Sequence, residues 1–363
     1  SKKGGNAVKQ LKFALIAILP LLLTGCWDGR DPEDRAYVIT MGIDKGEDGL
    51  LVTFAPAKTT EGNAQSVYRV KGDTLTAAVA DADSRSSREV YLGQLRTVVF
   101  GKSLLADKAA FEAVLEELER GNALSEKVMV LGTENAADAC VDAIAQADSS
   151  TGLFLWDFYK NTAQEVAVTR GMDLDMLLTE LGEQGGSTVL PRIEKTEEGL
   201  SLGGGIALAD GAYAFSLPAA EEQAHLLLLG EGSGAVIEGN WNGTVLPLEI
   251  RKDKVSFDFA KTAEGLSCQV NVKVSGALTG SGGQSLLDGN TRRELENFFG
   301  DIIKTDLENT IKRAKETTAG DVFGLWAECQ RQAPEVAKIG ENWQDLQVLV
   351  DCEVKLQDTG RTR

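Results

Sequence analysis

The sequence predicts an α+β protein made of three consecutive mixed domains. Apolar residues alternate with polar ones in several short runs, which is typical of strands with one buried face, and elsewhere recur every three or four residues, which is typical of helices. The chain has 363 residues, of which 43% are hydrophobic and 25% charged. That composition is typical of folded proteins, and the length exceeds what one ordinary core encloses. We expect a signal peptide over residues 1 to 25 and domains over 27 to 150, 151 to 235 and 236 to 363.

The N-terminal domain is predicted to alternate strands with helices. A β-hairpin begins it, because two apolar runs flank a polar, glycine-containing turn. Asp73 or Thr74 can cap one helix, Asp107 can cap another, and a third carries Cys140. The predicted strands span residues 36 to 43, 50 to 57, 95 to 100 and 128 to 131.

The middle domain is predicted to begin after a small polar break at residues 149 to 152. Helices over 153 to 163 and 174 to 181 lead to a glycine-rich break at Gly185-Gly186. A meander of short strands and an apolar helix around 226 to 229 complete this domain.

The C-terminal domain is predicted to be an antiparallel-rich sheet packed against a long helix. Thr291 and Glu294 form a Thr-x-x-Glu capping box ahead of an apolar stripe with helical spacing. Six apolar residues then alternate with polar ones over residues 346 to 356. Because such a strand needs a buried face, we expect it to close the sheet.

Composition excludes several functional classes. The formal charge is −18, and removing residues 1 to 25, which contain four lysines and no carboxylates, leaves −22. So acidic a chain is unsuited to binding a nucleic-acid backbone. His225 is the sole histidine, so histidine-based catalysis and metal binding are disfavoured. We expect no catalytic residues, no metal site and no cofactor other than a covalent lipid.

The N-terminal segment predicts where that lipid is attached. Four lysines precede an apolar run over residues 13 to 23, the pattern of a secretory signal. The run is too short for a spanning helix and contains Pro20. The sequence Leu22-Leu23-Thr24-Gly25-Cys26 follows, which matches a bacterial lipobox. We therefore expect Cys26 to carry the lipid and to anchor the processed chain on a membrane surface outside the cytoplasm.

Four other cysteines remain, and none forms a Cys-x-x-Cys pair. Zinc binding is therefore disfavoured. Buried free thiols are the preferred interpretation and disulfide bridges the alternative. These cysteines are Cys140, Cys268, Cys329 and Cys352.

Two motifs suggest chemistry that their surroundings do not support. Gly199-Leu200-Ser201-Leu202-Gly203 matches Gly-x-Ser-x-Gly, and Asp210 and His225 follow in the order of a hydrolase triad. The motif needs a strand, a sharp turn and a helix, whereas another strand is predicted after it. His225 is better explained as a helix residue with a local hydrogen-bond partner. Similarly, Gly230-x-Gly232-x-x-Ala235 matches a loose dinucleotide fingerprint, but a helix precedes it, which favours a glycine helix stop.

Adjacent acidic residues could indicate acid/base catalysis or cation binding. Neighbouring side chains on a helix or turn point apart, so we expect solvated surface carboxylates. These pairs are Glu116-Glu117, Glu197-Glu198 and Glu221-Glu222.

Several segments together resemble the GerC-type lipoproteins of spore nutrient germinant receptors. The resemblance rests on Gly25-Cys26-Trp27-Asp28, Gly42-Ile43-Asp44-Lys45, Asp321-Val322-Phe323-Gly324 and Trp343 before the last strand. It extends from the lipobox to about residue 358. Gln94 stands where the family often has histidine.

The resemblance implies three α+β domains and a non-enzymatic C subunit. It implies anchoring through Cys26 to the outer face of the spore inner membrane, with two integral-membrane subunits as partners in germinant detection. Partner subunits would then bind the small-molecule germinant. The alternative is a solute-binding lipoprotein of an importer, which would need two similar α/β lobes, and an extracytoplasmic hydrolase ranks third.

Overall fold

The chain adopts an α+β fold with two β-sheets, in agreement with the predicted fold class. The computed structural model describes residues 34 to 57, 67 to 86, 88 to 121, 127 to 147, 153 to 161, 167 to 263, 265 to 279, 289 to 318 and 320 to 357. The first sheet contains β1 (Arg35–Lys45), β2 (Leu50–Pro56), β3 (Tyr68–Gly72), β4 (Glu89–Tyr91), β5 (Thr97–Gly101), β6 (Met129–Thr133), β7 (Thr188–Thr196), β8 (Gly199–Ala209) and β9 (Ala212–Leu217). The second contains β10 (Val236–Trp241), β11 (Thr244–Thr262), β12 (Gly265–Leu278) and β13 (Leu346–Leu356).

The described helices connect and cover these strands. They are α1 (Leu75–Arg85), α2 (Lys102–Leu105), α3 (Lys108–Arg120), α4 (Ala137–Ala147), α5 (Leu153–Asn161), α6 (Leu174–Glu183), α7 (Ala219–Leu229), α8 (Gly289–Thr317), α9 (Leu325–Gln332) and α10 (Pro334–Ala337). Two predicted caps are confirmed. Thr74 accepts a hydrogen bond from the amide of Ala77, and Asp107 accepts one from Ala110.

The first sheet has the order β3-β2-β1-β5-β6-β7-β8-β9, with β4 beside β1. The predicted hairpin is β1–β2, and its turn requires Gly49, whose φ is +82° and whose added Cβ would lie 2.6 Å from the carbonyl oxygen of Gly72. Strands β1, β5 and β6 are parallel. Their carboxyl ends therefore meet at one edge, which brings together Asp44, Gly101 and Thr133.

Strands β7 and β8 face two cores at once. Leu190 and Ile206 pack with the apolar residues of β1, β5 and α3, whereas Val189 and Ala207 pack with α7 and the second sheet. This follows from the strand period of two, because successive side chains point to opposite faces. The predicted middle segment therefore contributes to both neighbouring cores. The three-domain division stays a prediction.

The second sheet has the order β10-β11-β12-β13. Its first three strands are antiparallel, and β13 pairs with β12 in the parallel direction. Helix α8 covers the apolar face, and Gly300 permits a close approach, since a Cβ there would lie 3.0 Å from the Cys352 carbonyl oxygen. The predicted capping box is wrong in position: α8 begins at Gly289, so Thr291 lies inside its first turn.

Candidate functional site: the cleft between the two sheets

Helix α7 lies between the two sheets and carries a buried polar pair. Glu222 is fully buried, and its Oε2 lies 3.2 Å from Nδ1 of His225, which is also buried. A Cβ on Gly205 of β8 would lie 2.6 Å from the same carboxylate oxygen. Glycine therefore lets the carboxylate approach the strand backbone. The His225 ring packs against Phe323, with ring centroids 5.4 Å apart, so α7 links the first sheet to the segment before α9.

The helix ends as the sequence predicts. Gly230 has φ +72° and donates its amide to the carbonyls of Leu226 and Leu227. A left-handed glycine at this position is a common helix stop. The Gly230 motif is therefore a helix terminus.

Beside α7 lies an open cleft of about 610 Å³. Its wall is part apolar and part charged. The lining residues include Met129, Trp156, Tyr159, Arg170, Asp173 and Leu226.

Two charged residues of this cleft, Arg170 and Asp173, already bind other groups of the protein. Arg170 is buried and binds Glu180 with both terminal nitrogens, at 2.8 and 3.2 Å. Asp173 caps α6 by accepting the Met176 amide at 2.9 Å. Burial raises the pKa of Tyr159, so its phenol stays protonated. The cleft has the form of a binding or packing surface and presents no activated nucleophile among the described residues.

A second polar cluster occupies the carboxyl-end edge of the parallel strands. Asp44 accepts the amides of Ala137 and Asp138, at 2.9 and 3.0 Å, and so caps α4 from another strand. Burial is the largest influence on this carboxyl and raises its pKa, although the two amide bonds oppose the shift. A Cβ on Gly101 would lie 1.8 Å from Asp44 Oδ1. Only glycine fits there.

A third buried carboxylate organises the segment before α9. Asp321 accepts the amides of Leu325 and Trp326, at 3.0 and 2.6 Å. Burial raises its pKa to about 6, against the opposing influence of these hydrogen bonds. Gly324 adopts φ +69° at the start of the helix. The motif residues Asp44 and Asp321 thus both hold helix amino termini, an architectural role that helix polarity favours.

The residues of the predicted hydrolase motif do not converge. Ser201 is exposed near the start of β8, and Asp210 lies in the turn after it, where it binds Lys108 at 2.8 Å. Nine residues along a strand separate the two by about 30 Å. His225 is buried with Glu222, which confirms its predicted local partner.

The prediction for the acidic pairs is partly wrong. Glu116 is exposed as expected, but Glu117 accepts the amides of Leu75 and Thr76 at the start of α1. Glu222 is buried because it faces a glycine on β8. Sequence spacing could not reveal these long-range partners.

The structure tests the prediction for the four later cysteines but does not test the prediction for Cys26. The four cysteines after Cys26 are free, and three of them are buried, with Cys352 half-buried. Cys26 lies outside the described residues. Among the described residues, no helix is long and apolar enough to cross a membrane, and no three or more His, Cys, Asp or Glu side chains gather as metal ligands.

Comparison with known proteins identifies the class to which this α+β fold belongs. A family model described as spore germination protein N-terminal domain matches residues 28–195. A second, described as spore germination B3/GerAC like, C-terminal, matches residues 204–360. The two matches together span both sheets and meet near the β7–β8 turn. The chain belongs to the GerC-type family of spore germination proteins.

Individual relatives agree with this assignment. Spore germination protein A3 of Bacillus subtilis (strain 168) is 22% identical over 267 residues, which cover 69% of this chain and 70% of the relative. Spore germination protein YndF of the same strain is 21% identical over an alignment of 377 residues, covering 92% and 91%. The crystal structure of the GerBC protein matches with a TM-score of 0.60 at 17% identity, over 87% of this chain and 96% of that chain. The structural match supports the same overall fold.

Proposed function

We propose that this chain is the lipid-anchored, non-catalytic C subunit of a spore nutrient germinant receptor. It would act in germinant sensing and receptor assembly at the outer face of the spore inner membrane, with two integral-membrane subunits as partners. The observation that carries the proposal is the joint match of two spore germination segments across residues 28–360.

The chemistry of the described residues supports a scaffold role. The buried carboxylates Asp44 and Asp321 accept backbone amides, and Arg170 is paired with Glu180. Groups engaged in this way hold elements of the fold together. A solute-binding lipoprotein would instead present two similar α/β lobes, whereas the described residues form one nine-stranded and one four-stranded sheet.

The anchor is tested by replacing Cys26 with alanine. Two or three acyl chains hold a protein firmly at a membrane, because each buried methylene contributes about 0.8 kcal/mol. We expect the variant to lose metabolic lipid labelling and to leave the spore membrane fraction. Cys140→Ala is the matched control for thiol loss. Undiminished labelling of the Cys26 variant would refute the anchor.

The receptor assignment is tested by purifying a tagged, lipidated chain from detergent-solubilised spore membranes. We expect two multispanning membrane proteins to co-purify, and deletion of the gene to abolish germination by some nutrients while a non-nutrient trigger still works. Co-purification with importer subunits, together with tight binding of a small solute by the isolated chain, would instead identify the importer lipoprotein.

A further inference from the structure

One face of the second sheet is left uncovered by the described helices. Its apolar face packs on α8, while the opposite side chains of β11, β12 and β13 are exposed or half-buried. Strand register arranges these side chains in rows across the sheet. The rows are Lys252, Ser275, Lys355; then Lys254, Lys273, Glu353; then Ser256, Asn271, Asp351; then Asp258, Gln269, Leu349.

Charge is segregated along this face. The first two rows contain four lysines and one carboxylate, and the next two contain two aspartates and no lysine. We call Lys252, Lys254, Lys273 and Lys355 the lysine face. They border a shallow depression of about 180 Å³.

The lysine face has an uncompensated positive charge. Glu353 binds Lys355 at 3.0 Å and Lys273 at 3.5 Å, but the structure gives Lys252 and Lys254 no ion pair with a described residue. Lys254 also lies directly opposite Lys273 on the neighbouring strand. Like charges in such a position destabilise a sheet. Asp253 also borders the depression, so its lining carries a net charge of two positive units in a protein whose formal charge is −18.

We propose that the lysine face docks on the anionic phospholipid headgroups of the membrane that carries the protein. The inference rests on the membrane location in the proposed function and adds an orientation to it. A lipid anchor alone leaves the folded part free to rotate, whereas a second contact fixes which side faces the bilayer.

Charge screening allows anionic headgroups to bind the lysine face although the whole chain is acidic. At physiological ionic strength, charges further than about 8 Å apart are largely screened, so the headgroups respond chiefly to the nearest side chains. The side chains of Lys273 and Lys355 are 67% and 71% exposed. Long flexible stems let their ammonium groups reach phosphates without moving the sheet.

Vesicle flotation tests the proposal with the processed chain carrying Cys26→Ser, which has every described element and no lipid. The probes are vesicles of equal parts phosphatidylcholine and phosphatidylglycerol, and vesicles of phosphatidylcholine alone. We expect partition onto the anionic vesicles only, weakening as salt rises. The double variant Lys252→Gln/Lys254→Gln should partition roughly thirtyfold less, at about fivefold per lysine.

The matched control is Lys304→Gln/Lys312→Gln, which removes two exposed lysines from α8, each within 4 Å of a glutamate. It should partition like the unsubstituted chain, and circular dichroism should show all variants folded. The proposal is overturned if the unsubstituted chain ignores anionic vesicles, or if both double variants lose partition equally. The proposal is also overturned if the chain binds an acidic protein and does not partition onto the vesicles. Because the Cys26→Ser chain carries no covalent lipid, the result is independent of whether Cys26 is the anchor.

Discussion

Three buried carboxylates each contact a group that helps to hold the fold together. Asp44 reaches α4 from β1, Asp321 holds the start of α9, and Glu222 approaches β8 from α7. Burying a charge is costly unless it is hydrogen-bonded. These positions are therefore sensitive to substitution.

Asp321 predicts a specific pH dependence. Its pKa of about 6 lies above the ordinary 3.8, so the folded state binds the proton more tightly than the unfolded state. Protonation of Asp321 therefore stabilises the folded state. This contribution is complete below the ordinary pKa and is lost as pH rises through about 6. When the pH falls from about 7 to about 5, we expect the unfolding free energy of wild type to rise by about 1.4 kcal/mol relative to that of Asp321→Asn.

Urea denaturation of both proteins at the two pH values measures this difference. Comparing the two proteins cancels the titration of all other groups that the substitution leaves unchanged. A difference that stays constant with pH would contradict the raised pKa of Asp321.

At the scale of single elements, β13 gives a direct test of the C-terminal sheet. Val350 is buried opposite Val270, whereas its neighbour Leu349 points to the exposed face. Val350→Asp should lower the unfolding free energy by several kcal/mol, because the new charge has no partner. Leu349→Asp adds the same group on the solvent side and should be nearly neutral.

Hydrogen exchange of β13 and α8 distinguishes the two variants. We expect loss of protection in both elements for Val350→Asp and none for Leu349→Asp. Equal effects of the two substitutions would mean that the strand is not held in the observed register.

The same strand shows what sequence can and cannot predict. The period of two identified the buried face of β13, because it depends only on neighbouring residues. Its parallel direction was not predictable, since it depends on the path of the chain through α8. For the candidate site, the glycine stop at Gly230 was local and predictable. The burial of Glu222 was not, because it depends on Gly205 across the structure.

At the scale of the whole molecule, β7 and β8 join the two cores. Their alternate side chains pack with the first core or with α7 and the second sheet. Contacts of this kind can make neighbouring segments unfold together. The extent of this coupling determines whether the segments on either side of the predicted boundary at residue 150 unfold independently.

Asp44→Ala tests that boundary. Loss of two amide bonds to a buried carboxylate should cost about 2 kcal/mol. We expect amide protection to fall in β5 and β6 and also in β8, which lies in the predicted middle domain, while β12 and β13 keep theirs. Unchanged protection in β8 would support independent N-terminal and middle domains.

The parallel pairing of β12 with β13 has a consequence for biosynthesis. The two strands are joined through α8, since β12 ends at Leu278 and β13 begins only at Leu346. The free edge of β12 cannot pair until both α8 and β13 have emerged from the ribosome. The second sheet must therefore be completed late and in one step, because non-local pairing brings no stability before the loop closes. A chain interrupted before β13 would leave the unpaired edge of β12 open to chaperones and proteases.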